Sequence, residues 1–287
     1  MGREPMSDAE VFPRFPGALA GVGMVLTLIA LDCAGELQLR LLLALPEWYR
    51  DGAADADGLT AIVRSLVRLF PLLLVAGLGW KWSRAPASEV FPLRRPSPGL
   101  LLSLVVCAFG VSVALSELNN IVQRLITLPE GYLLTAGPTT GDWRDEAWKW
   151  LYLLLLKPAA DELLFRGVML RGFAARYPAA LAVGLSALFY ALVSLNPLIA
   201  PASFARGLLL GWLYLKTRSL LPGVLLVGLS AGVATAVEWT VGPVQAYTTA
   251  LTPEASFHPW WLDAAGLCAL LAGLAGVAWA LRRDQGA

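Results

Sequence analysis

Eight apolar stretches, each near the roughly 20 residues a helix needs to cross a bilayer, recur at about 15–36, 60–80, 99–118, 147–170, 179–195, 201–216, 220–238 and 260–281. The expected fold is therefore all-α, a polytopic transmembrane helix bundle of about eight spans. The fourth stretch is the least regular, because 145–176 is long enough for two helical pieces meeting around Pro158. Composition points the same way: the chain is 57% hydrophobic and 15% charged, with mean hydropathy +0.63, whereas a soluble domain carries about 25% charged residues.

Lys and Arg in short loops set orientation. Lys81, Arg84, Arg94 and Arg95 follow the second stretch; Arg171 and Arg176 follow the fourth, Lys216 and Arg218 the sixth, and Arg282 and Arg283 the eighth. The alternate loops are acidic or mixed, with Asp51, Asp55 and Asp57, then Asp142, then Glu254. Both termini are thus expected in the cytoplasm, with the protein integral to a bacterial cytoplasmic membrane. The leading MGREPMSDAEVFPRFPG has no small-residue cleavage site after a short apolar region, so the first span is expected to be a retained anchor.

Several function classes find no support. No Gly-rich phosphate loop and no basic aromatic stripe occurs, so no nucleic-acid partner is expected. Cys33, Cys107 and Cys268 lie far apart in or beside apolar stretches, as packing residues do. The single His258 precedes Pro-Trp-Trp and reads as an interfacial residue, and one histidine does not by itself make a three-ligand zinc site. No metal and no cofactor is expected. Trp143, Trp148, Trp150, Trp260 and Trp261 cluster near span ends, as in an aromatic belt at the lipid headgroups.

Ionisable residues inside apolar stretches remain, and each costs several kcal/mol to hold in hydrocarbon, so they are functional candidates. Asp32, Glu36 and Arg40 are spaced four apart, with Arg64 and Arg68 at the same spacing on the next span. Facing acids and arginines on neighbouring helices would neutralise each other and pin the spans together. Glu117, Arg206 and Glu238 lie near span ends and read as snorkelling or loop-facing. The stretch KPAADELLFRG differs. Glu162 and Arg166 are spaced i, i+4 and can pair, but Asp161 adjoins Glu162, which sets one Arg against two carboxylates. Two close carboxylates in a low dielectric resist ionising together, and this prepares one of them for acid or base work.

DELLFRG resembles the EExxxR motif, commonly written EELLFRG, of the CAAX prenyl endopeptidase and bacteriocin-processing (CPBP or ABI) family of intramembrane glutamic proteases. LSALFYALV resembles the family's second motif region, with Phe189 as the Phe of FxxxH. GLLLGWLYLKTRSLLPGVLL resembles the lead into the third motif, and PLRRPSPGLLL the lead into the helix before the core. The resemblance covers about residues 90–235. It implies a division into N-terminal anchor spans at 1–90, a CPBP-like core at 91–240, and a C-terminal loop and last span at 241–287. A hairpin turning near Tyr177-Pro178 would bring positions 161 and 193, each about 16 residues from the turn, to one depth at a rise of about 1.5 Å per residue.

At the positions where the resemblance implies catalytic groups, the chain departs. Asp161 stands for the first Glu, Val193 for the first His, Val227 for the second His and Ala231 for the Asn. Glu162 and Arg166 match. Losing a single oxyanion donor costs a protease about 10²–10³ in rate, and a carboxylate drawn back by one methylene adds about 10²-fold. The expected function is therefore binding of a lipidated or membrane peptide, or of a membrane-protein partner, in contact with membrane lipid and without efficient cleavage. An active divergent endopeptidase using Asp161 and Glu162, with Arg166, is the alternative, and a carrier using the intramembrane carboxylates is the weaker one.

Overall fold

The computed structural model describes residues 15–43, 56–126, 143–240 and 257–286, and among them every regular element is helical and none is a strand. In chain order these are α1 (Ala18–Leu43), α2 (Ala56–Ser83), the short α3 (Ala87–Val90), α4 (Pro98–Leu125), the long α5 (143–174), α6 (Ala179–Leu192), α7 (Ala200–Thr217), α8 (Leu221–Thr240) and α9 (Trp260–Gly286). Each apolar stretch read from the sequence falls on one helix. Four of them hold segments long and apolar enough to cross a membrane: Ala18–Gln38, Ser65–Ser83, Pro98–Leu125 and Trp260–Arg283. α6 and the start of α8 are apolar but shorter. Asp51, Asp55, Asp142 and Glu254, and the side chains of Asp57, Arg40, Arg64, Glu238 and Trp143, lie outside the described residues.

The helical pieces expected on either side of Pro158 run on without a non-helical gap as α5. Proline has no N–H to give the carbonyl four residues back, here Leu154, and a wider turn accommodates such a gap. Wide π-turns flank the proline segment Lys157–Glu162, at Tyr152–Leu156 before it and at Leu163–Leu170 after it. Gly228 of α8 packs against the Leu154 carbonyl, where a side chain would collide with it.

Two buried clusters divide the interior. The first joins Leu28 of α1, Leu72 and Val75 of α2, Leu164, Phe165 and Phe173 of α5 and Phe189 of α6. The second joins Leu104 and Ala108 of α4, Leu210 and Leu213 of α7, Leu226 of α8 and Val277 of α9. Large apolar side chains such as Leu19, Leu102 and Trp260 point outward, as they must on a surface solvated by lipid. Because lipid tails are as apolar as leucine, close backbone approach contributes much of what holds such helices together. α4 and α9 illustrate it: a side chain at Gly110 would strike the backbone of Leu270, and one at Gly273 the backbone of Cys107.

Two segments that carry the resemblance meet. Ser219, at the start of the SLLPG turn, accepts a hydrogen bond from Arg94 N (2.9 Å) and donates one to Arg94 O (3.0 Å), and Leu220 N donates to Pro92 O. The PLRRP segment is thereby tied to the α7–α8 turn. Arg171, at the end of α5, reaches Glu89 of α3 at 2.9 Å.

Candidate functional site

Helix α5 supplies the charged residues of the site. Asp161, Glu162 and Arg166 are all buried. A buried guanidinium survives only with compensating partners, and Arg166 has three. Its Nη1 meets Glu162 Oε1 at 2.9 Å, its Nη2 donates to the carbonyl of Gly207 in α7 at 3.1 Å, and its plane lies 4.9 Å from the ring centre of Tyr190 in α6. Gly207 can present that carbonyl because it packs directly on Ala187, leaving no room for a side chain. Tyr190 is in turn set by an edge contact with Phe165, ring centres 5.1 Å apart, while Ser186 Oγ donates to the Phe165 carbonyl at 2.9 Å. These contacts join α5 and α6 in a hairpin with its turn between Ala174 and Ala179.

The expectation of one arginine against two carboxylates is overturned. Lys157 Nζ donates to both oxygens of Asp161, at 2.7 and 2.5 Å. The lysine side chain is 39% exposed and the aspartate 7%. Two interleaved i, i+4 pairs, Lys157–Asp161 and Glu162–Arg166, therefore make an electroneutral quartet on consecutive turns. The signal was present in KPAADELLFRG, in which Lys157 precedes Asp161 by the same four residues that separate Glu162 from Arg166. Tyr190 and Gly207 carried no such signal, since their roles depend on how α6 and α7 pack.

Two groups in the quartet keep spare capacity: Arg166 Nε finds no hydrogen-bond partner among the described residues, and Glu162 is the other. Glu162 Oε2 accepts no hydrogen bond among the described residues. It lies against Gly223 of α8, where a side chain would collide with it, so glycine is what allows α8 to close over the carboxylate.

The positions at which the resemblance implies polar groups are differently placed. Val193 caps the end of α6 and packs on the cluster that contains Ala160, Leu164 and Phe165. Val227 packs instead on the second cluster, with Leu210, Leu213 and Leu226. Ala231, one turn further along α8, is half-buried.

Among the other charged residues, Arg68 Nε meets Glu36 Oε1 at 3.0 Å, bridging α2 and α1 as a pinning pair would. Asp32 is close enough to Arg68, Glu36 and Lys157 to feel their charges, and Tyr152 to feel those of Lys157 and Asp161. The two polar groups read separately from the sequence are therefore electrostatic neighbours through Lys157. Glu117 is not loop-facing: it accepts from Asn120 Nδ2 at 2.9 Å and from His258 N at 3.2 Å. His258, expected at an exposed interface, has a fully buried side chain whose ring nitrogens meet Asp263 and Ser116.

Comparison with known proteins bears on this segment directly. Residues 143–232, from the start of α5 into α8, match the family model described as Rce1-like, type II CAAX prenyl endopeptidase Rce1-like. No curated protein and no solved structure matches the chain. The matched region contains the whole quartet, Tyr190, Gly207 and Gly223, together with Val193, Val227 and Ala231.

Proposed function

With residues 143–232 carrying the Rce1-like segment of the type II CAAX prenyl endopeptidases, we propose that this integral membrane protein keeps the scaffold of an intramembrane endopeptidase and uses it to hold a lipidated or membrane-embedded peptide, or a membrane-protein partner, without efficient cleavage. The observation that carries the reading is the Lys157–Asp161 pair. A general base must offer a carboxylate oxygen to water within about 2.6–3.2 Å, and both Asp161 oxygens are engaged by the ammonium group. The apolar packing of Val193 and Val227 supports it, since neither position can donate to an oxyanion.

The same reading takes the chain as eight spans in a bacterial cytoplasmic membrane with both termini inside. α5, α6, α7 and α8 then form a core flanked by the anchor spans and the last helix. An active divergent endopeptidase is the second reading, and it has one observation in its favour: Glu162 Oε2 is buried and accepts no hydrogen bond among the described residues, so it could take a water proton.

Photocrosslinking tests the binding role. A benzophenone amino acid at position 193, in the chain reconstituted in vesicles, is expected to crosslink a farnesylated peptide, and excess unlabelled peptide is expected to compete. Crosslinking no greater than from a benzophenone on the outward face of α4, at position 102, would contradict the proposed binding surface.

A further inference from the structure

The end of α4 and the start of α9 hold a second cluster of charged groups, remote in sequence from the α5 quartet. His258 Nδ1 faces Asp263 Oδ1 at 2.9 Å and Glu117 Oε2 at 3.4 Å. The three atoms lie within 4.8 Å of one another. We propose that Glu117, His258 and Asp263 form a binding site for a first-row divalent cation, of which zinc is the representative, and that the ion clamps the 257–263 segment to α4.

The distances suit a metal. Ligand atoms about 2.1 Å from zinc at tetrahedral to right angles are about 3.0–3.4 Å apart, close to the two separations from Nδ1. One imidazole with two carboxylates suits such an ion and leaves a coordination position for water. The 39% exposure of the Asp263 side chain provides an approach from solvent and freedom to close on the ion, whereas the His258 ring is fully buried. A ligating histidine usually fixes its orientation by donating through its other ring nitrogen. Here Nε2 lies 3.1 Å from Ser116 Oγ, which can accept and so leave the Nδ1 lone pair for the metal. Asn120 Nδ2 and the backbone N–H of His258 both donate to Glu117 Oε2, which holds that oxygen in place.

Charge gives an independent argument. Among the described residues, no lysine or arginine pairs with Glu117 or Asp263. Two acidic side chains on one buried imidazole form a donor set suited to a cation.

The test uses the full chain without a histidine tag, purified in detergent, stripped with a chelator, and titrated with zinc chloride by calorimetry and thermal denaturation. Expected is one zinc per chain, with a rise in Tm that the chelator reverses. Asp263→Asn and Glu117→Gln should each weaken binding by about tenfold or more, at least the loss seen when a group that merely supports a ligand is removed. His258→Asn should abolish it. Asp263 is the most exposed of the three, so its variant remains informative if the histidine variant fails to fold. Absence of stoichiometric binding, or binding unchanged in both carboxylate variants, would overturn the proposal and leave the Glu117, His258 and Asp263 contacts as hydrogen bonds that join α4 to α9.

Discussion

Both carboxylate oxygens of Asp161 lie within hydrogen-bond distance of Lys157 Nζ, one helical turn earlier on α5. Each of the two adjacent carboxylates thereby has a cationic side chain of its own, Lys157 for Asp161 and Arg166 for Glu162. The two pairs differ in burial, and this yields the first prediction.

Arg166 and Glu162 are both inaccessible, so Arg166→Met strands a buried carboxylate and should cost about 3–5 kcal/mol. Lys157 is 39% exposed while Asp161 is only 7% exposed, so Lys157→Met should cost less than Arg166→Met but more than the about 1 kcal/mol of a fully exposed pair. Thermal denaturation of both variants in detergent checks the order. Equal losses would show that the two pairs are equally buried.

The approach of α8 to Glu162 predicts a second result. Gly223→Ala places a methyl group against Glu162 Oε2 and should destabilise by about 1–3 kcal/mol, the usual cost of overpacking. In a Glu162→Ala background the same change should cost much less, because the two sites share one contact and are not additive. Additive losses would place the clash elsewhere.

Much of the fold was legible in apolar length alone, since the backbone in lipid must satisfy itself and long apolar stretches leave helices as the simple solution. The α5–α6 hairpin followed from the Tyr177-Pro178 turn, and Glu162–Arg166 from i, i+4 spacing. The continuity of α5 through Pro158 was not legible, because the wide turns that absorb a missing N–H depend on the surrounding packing. Lys157 is legible from its i, i+4 spacing to Asp161, while Tyr190, Gly207 and Gly223 become site residues only once α6, α7 and α8 are docked. His258 shows the same limit: nothing in its neighbourhood, HPWWLD, indicates that α4 brings Ser116 and Glu117 to the ring.

Installing the implied polar groups singly should fail, each for a local reason. Val193→His puts an imidazole against the first apolar cluster, where an unpaired polar group costs about 1–3 kcal/mol. Val227→His puts one against the second cluster, which holds Leu210, Leu213 and Leu226. Neither variant should hydrolyse a lipidated peptide, and both should melt lower than the parent. The fourfold variant Asp161→Glu, Val193→His, Val227→His, Ala231→Asn is the one that could gain weak activity, since catalytic groups act as a unit. Hydrolysis from a single substitution would show that only one donor was lacking.

Orientation gives a prediction that does not depend on the site. With both termini in the cytoplasm, a cysteine placed at position 55 or 254 should react with an impermeant maleimide added outside the cell, and one at position 95 only after the membrane is opened. The reverse pattern would invert the bundle.

The most direct measurement is cleavage by the unmodified protein. Reconstituted in vesicles with a pool of farnesylated and unmodified membrane peptides, and followed by mass spectrometry, the chain is expected to leave every peptide at the level of protein-free vesicles, with Asp161→Ala and Glu162→Ala indistinguishable from it. Peptide cleavage by the unmodified protein that disappears in both variants would contradict the account and make the Asp161–Glu162 pair the catalytic centre of a working intramembrane endopeptidase.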